Sequence, residues 1–104
     1  SSAKMTLPLE LSPAAKIELD EAIDWYNEQA EDLSAKLVEA IDADLVRIQK
    51  SPMLFPVVHG TTIRQAAVQK FPFIILFTVE AERILVYSIF HTSRNPIIWR
   101  GRID

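Results

Sequence analysis

The sequence predicts an α+β fold in which a helical hairpin packs on one face of a mostly antiparallel four-stranded sheet. Three observations carry this. Two helix-period apolar stripes occupy residues 13–50. A short alternating segment precedes them, and three strand-like runs follow. Two helices on one face of a sheet is the economical way to bury both stripes.

Leu7, Leu9 and Leu11 alternate with Thr6, Pro8 and Glu10, the period of a half-buried strand. Pro8 has no N–H to donate, which assigns this strand to a sheet edge. Ser12-Pro13 then opens a helix: serine caps free N–H groups, and proline suits the first helical position. Ala15, Leu19, Ala22, Ile23 and Tyr26 recur at steps of three and four and share one face. Leu33, Leu37, Ile41, Leu45 and Ile48 form the second stripe. One helix over 13–50 would far exceed the usual length, so a break is expected near Ala30–Asp32, with Asp32 as cap of the second helix. Each arm is then about 25 Å long at 1.5 Å per residue.

Ser51-Pro52 ends the second helix, because proline disfavours a helical residue before it. Pro56 and Gly60 punctuate a loop. Strands are expected over about 62–70, 72–80 and 83–91, with Glu80-Ala81-Glu82 as a tight turn. The run Phe73-Ile74-Ile75-Leu76-Phe77 is apolar on both sides, as in a central strand covered on each face. Asn95-Pro96 begins a tail over 97–104. The whole, 1–104, reads as one domain, with Ser1–Lys4 as remnants of a tag and Met5 as the natural start.

Composition narrows the chemistry. The chain has 104 residues, 49% of them hydrophobic, and no cysteine. Disulfides, thiol chemistry and zinc ribbons are excluded, and a reducing cytoplasm is the expected setting. The longest apolar run, Phe71 to Val79, falls well short of the roughly 18 residues a membrane span needs. His59 and His91 have no acid at metal spacing, and Gly60 and Gly101 build no phosphate loop, so no metal or other cofactor is expected. Ser88 and His91, three apart on a strand, point to opposite faces and make no nucleophile–base pair.

The net charge of −3 hides an asymmetry. Residues 12–50 carry a net −6 and residues 51–104 a net +3. This is either two solvated faces or a basic working surface opposite an acidic helical half. The pI of about 5.3 argues against strong direct nucleic-acid binding. Most helical carboxylates fall on the polar faces, as solvated charges do.

The last third runs Phe71-Pro72-Phe73, an apolar strand, a turn, Ile84 to Phe90, then His91-x-x-Arg94-x-Pro96-x-x-Trp99-x-x-Arg102. With Trp25-Tyr26 in the first helix and Pro52-x-x-x-Pro56 after the second, the chain resembles the RelE/ParE toxin superfamily from about Leu7 to Arg102. That resemblance implies a toxin neutralised by a cognate antitoxin. In the RelE-like branch it implies a ribosome-dependent endoribonuclease cutting messenger RNA, with Arg94 steadying phosphate charge and His91 carrying a proton. In the ParE-like branch it implies a gyrase inhibitor with no known hydrolytic site. The chain departs from the nuclease pattern. Its central strand lacks the arginine that RelE-like nucleases place there, and Trp99 stands near their terminal tyrosine without an acidic hydroxyl. The His-x-x-Arg ending fits the ParE-like branch better. A homologue that keeps the antitoxin groove and harms nothing is the third reading.

The expected target-binding surface is His91, Arg94, Trp99, Arg100 and Arg102. Arg64 and Lys70 are expected as strand-end charges framing a second, basic groove. Each has a plainer alternative. His91 ends a strand and follows Leu85, Tyr87 and Ile89 on one face, as a hydrogen-bonded histidine would. Arg94 either caps the sheet or pairs with a helical acid such as Asp24. Trp99 either covers the sheet or meets a partner, and Trp25 and Tyr26 read as core.

Overall fold

The computed structural model describes residues 6–92. In chain order the elements are β1 (Leu9–Leu11), α1 (Pro13–Gln29), α2 (Glu31–Lys50), a 3-10 turn at Pro52–Leu54, β2 (Arg64–Ala67), β3 (Phe73–Val79) and β4 (Ile84–His91). The sheet order is β1-β4-β3-β2, with β1 parallel to β4 and the other pairs antiparallel. The expected class, element order and edge position of the first strand all hold. Among the described residues, no helix is long and apolar enough to cross a membrane.

Ser12 caps α1 as its sequence suggests: its hydroxyl accepts from the Ala15 N–H at 3.0 Å, with Pro13 in the first turn. The same hydroxyl donates to the Tyr87 carbonyl at 2.9 Å, so the cap also ties the helix to β4. The helices meet at Ala30, which ends α1 and begins α2 in extended conformation. Asp32 is not the cap. It lies inside the first turn of α2 and makes an exposed pair with Lys36 at 3.8 Å, an arrangement that contributes little. The cap falls two residues earlier than Asp32, at Ala30, which takes the extended backbone with no side-chain oxygen to help.

Ala15 and Ala22 of α1 and Leu37, Ile41 and Ile48 of α2 are buried against Phe73, Ile75, Phe77, Ile84, Val86 and Ile89 of the sheet. The small alanines let α1 lie close over β4. β3 is central, and Leu76, on its face away from this core, is buried as well. β2 is shorter than expected. Val68 still donates to the Phe73 carbonyl at 2.9 Å, but the turn that follows forces Lys70 to φ 71° and ends the alternation. The β3–β4 turn is clamped by Arg83, which donates to Glu80 at 2.7 Å and to Glu10 of β1 at 2.8 Å. Those bonds, Glu80 first, hold the guanidinium above its ordinary pKa.

β4 carries a bulge. Leu76 pairs with Ser88 while Phe77 pairs with Val86, which leaves Tyr87 as the extra residue. The expectation that His91 shares a face with Leu85 and Tyr87 is therefore corrected. Before the bulge Ile84 and Val86 face the helices, and after it Ile89 and His91 do, paired with Ile75 and Phe73. A bulge shifts side-chain phase by one residue, which no period-two reading registers.

Two stability predictions follow from these contacts. Ala30→Asp, supplying the missing cap at a residue already extended, should stabilise the fold by about 1 kcal/mol in urea denaturation. Lys70→Gly, relieving the left-handed backbone, should stabilise it by about 1 kcal/mol in the same assay.

Candidate functional site

Of the expected target-binding residues, the described part of the chain contains His91. Arg94, Trp99, Arg100 and Arg102 lie outside the described residues. His91 closes β4 on the helix side, its ring edge-on to Phe73 with centroids 4.9 Å apart. Phe73 lies 6.2 Å from Tyr26, and Tyr26 stands edge-on to Phe71 at 5.5 Å and to Trp25 at 4.8 Å. The sequence therefore brings an aromatic row together near the closed end of the helical hairpin, a turn before Ala30. Tyr26 joins the core as expected. Trp25 does not: it stacks T-shaped against Tyr26 and is 46% exposed.

Glu18 fixes this end of β4, and sequence reading passed it over. Its Oε1 accepts from the Ser88 hydroxyl at 2.8 Å and from the Ile89 N–H at 3.0 Å. β1 stops beside Val86, so beyond the bulge the helix carboxylate takes the place of a neighbouring strand. A signal for it exists. Glu18 stands three residues after Ala15 and four before Ala22, an acid set into the apolar stripe rather than on the polar face.

Asp44 shows the same pattern, three after Ile41 and four before Ile48. Its side chain is 4% exposed. Oδ1 accepts from Arg47 Nη1, while Oδ2 is buried with no hydrogen-bond partner among the described residues. The Arg47 guanidinium carbon lies 5.5 Å from the centre of the Phe55 ring, a cation–π contact.

Asp44 and Arg47 line a groove of about 700 Å³ between α2 and the β2–β3 turn. Leu33, Ala40 and Ala43 supply its apolar α2 wall, and Phe71 the facing one. Lys36 and Lys70 add cations, and Glu39 an acid. Of the two bases expected to frame a groove, Lys70 does so. Arg64 does not line it: its Nη1 donates to the Phe55 carbonyl at 2.6 Å and anchors the loop before β2. The other bases on the groove, Lys36 and Arg47, come from a helix rather than a strand.

The Glu18 contact generates a prediction. Glu18→Ala leaves the Ile89 N–H and the Ser88 hydroxyl without their carboxylate, and should cost about 2–3 kcal/mol in urea denaturation. Hydrogen exchange at Ile89 should rise more than at Ile84, if the carboxylate guards that end of β4.

Comparison with known proteins places this architecture. A sequence model described as the ParE toxin of type II toxin–antitoxin systems, parDE, matches residues 9–96. No curated protein sequence matches the chain. Among solved structures, the chain is similar to one described as the chromosomal ParDE TA system from P. aeruginosa, with a TM-score of 0.73 and 19% identity. The match covers 83% of this chain and 96% of that one, which at this identity shows a shared fold. From β1 through the segment after β4, the chain belongs to the ParE toxin family of type II toxin–antitoxin systems.

Proposed function

We propose that this chain is the toxin of a toxin–antitoxin pair and arrests growth by binding DNA gyrase, without breaking a covalent bond. The observation that carries the non-hydrolytic reading is β3. The strand on which RelE-like nucleases are expected to hold an arginine is filled from Phe73 to Phe77 with aliphatic and aromatic side chains, of which only Ile74 is not fully buried. Such a strand has no cation to stabilise a phosphorane.

The working surface in this reading begins at His91 and continues through Arg94, Trp99, Arg100 and Arg102. Its basic and aromatic character suits a macromolecular partner. Lys70 contributes to a separate groove, where a cognate antitoxin lays an amphipathic or acidic segment. The pair acts in the cytoplasm, in keeping with a chain without cysteine.

The test is a gyrase supercoiling and cleavage assay with purified protein, relaxed plasmid and ATP. Lost supercoiling or trapped cleaved plasmid is expected. Unchanged supercoiling at stoichiometric excess removes gyrase as the target, and cleaved messenger RNA in a translating extract would establish the ribonuclease instead. Arg94→Ala should abolish growth arrest while leaving the thermal midpoint unchanged, and arrest at the wild-type level would remove Arg94 from the working surface.

A further inference from the structure

The outer face of α1 sets exposed apolar side chains among acids. Ile17, Glu21, Asp24 and Glu28 follow one another at steps of four, three and four, with Trp25 beside them. That spacing lines them along one side of the helix. The side marked by Ala15 and Ala22 is buried in the core, so this second side is separate from the fold's own packing. Ile17 is 58% exposed, although isoleucine is among the residues most often found inside. Glu21, Asp24 and Glu28 are exposed too, and form no ion pair among the described residues. Glu21 stands a turn before Trp25 and Glu28 a turn after it, so an aromatic centre lies between acids.

The complement of such a face is a segment with an apolar centre between cations, and the chain carries one. In residues 93–104, Ile97, Ile98 and Trp99 lie between Arg94 on one side and Arg100 and Arg102 on the other. Position favours this segment as well. β4 runs alongside α1 in the same direction, with Ser12 bonded to Tyr87 and Glu18 to Ile89. Toward their ends, three ring contacts link His91 to Trp25 through Phe73 and Tyr26, none longer than 6.2 Å between centroids. The Thr92 N–H donates to the Pro72 carbonyl at 2.9 Å, which fixes where the tail departs. From there residues 93–99 reach up to about 24 Å, and Asn95-Pro96 is a turn-forming pair. A tethered segment also acts at an effective concentration on the order of millimolar, an advantage no separate cationic peptide has. A second copy of this chain is a poor occupant, because the same face laid on itself brings acids against acids.

We propose that the outer face of α1 is the seat of the chain's own tail. Folding back against the direction of α1, the tail sets Arg94 against Glu28 and Trp99 on Trp25. Arg100 and Arg102 then meet Asp24 and Glu21. Each ion pair is exposed and weak by itself, so the aromatic contact supplies much of the hold and the charges set its direction. The seat does not depend on which target the tail meets, but a target that uses these arginines has to draw them from α1.

The test is acrylamide quenching of Trp25 in the full chain. Trp99→Phe leaves Trp25 as the sole tryptophan and keeps an aromatic ring at residue 99. In that background, Arg94→Glu, Arg100→Glu and Arg102→Glu together should raise the quenching constant at least twofold and shift the emission to the red, with an unchanged thermal midpoint. Adding Glu21→Arg, Asp24→Arg and Glu28→Arg should restore the original value. Salt at about 1 M, which screens charges beyond about 3 Å, should raise quenching in the unreversed chain, and decides the matter should a reversed chain fail to fold. Quenching unchanged by charge reversal and by salt would overturn the seat. Raised quenching that the second set of reversals does not restore would overturn the pairing with Glu21, Asp24 and Glu28. Protection that falls on hundredfold dilution would assign the cover to a second copy and overturn docking within one chain.

Discussion

The Glu18 carboxylate and the β4 bulge it closes are the contact on which the rest of the arrangement turns. β1 is only three residues long, so among the described residues the second half of β4 has no strand on the side away from β3. Glu18 takes that side from a helix. Ser12 does the same just before it, donating from its N–H to the Val86 carbonyl and from its hydroxyl to the Tyr87 carbonyl. Two side chains of one helix end thus stand in for a missing strand segment. In doing so they hold α1 in register with β4 and turn Ile89 and His91 toward the helices. An acid in an apolar stripe, which looks like a defect by composition, is what lets the short first strand suffice.

Much of the fold was legible because its signals are local. Ser12-Pro13 announces a capped helix, and Ser51-Pro52 ends another. Leu37, Ile41 and Ile48 mark the buried side of α2 by spacing alone, and the apolar run from Phe73 marks the central strand. What escaped was non-local. Whether Tyr87 occupies a bulge depends on Leu76 and Phe77 across the ladder, and nothing in the sequence near Tyr87 records it. The helix boundary at Ala30 escaped for a different reason: the residue there has extended geometry without the polar side chain that usually signals it.

The site was legible in part for the same reasons. Lys70 was placed on a groove, but Arg64, equally basic and on the same strand-like run, is spent on the Phe55 carbonyl. Charge alone does not distinguish an anchor from a contact. Asp44 and Glu18 were absorbed into a general count of helical acids, although each interrupts an apolar stripe at core spacing. The criterion that separates them from Asp20 or Glu28 is phase, not abundance. Family membership then explains why hairpin and sheet occur together, while the particular acids belong to this chain.

The parallel pairing of β1 with β4 bears on how the molecule is made. The first strand pairs with the last described one, and Ser12 reaches a carbonyl 75 positions further along. A ribosome therefore releases the helical hairpin well before the strands that cover its apolar stripes. Loop closure of this span precedes any gain from packing, which slows folding. Until β4 emerges, β1 has no strand beside it and α1 lacks the strand its cap is tied to. Competence waits on β4, and a product truncated before it lacks the strand that joins β1 and α1 to β3 rather than being a slightly weakened version of the whole.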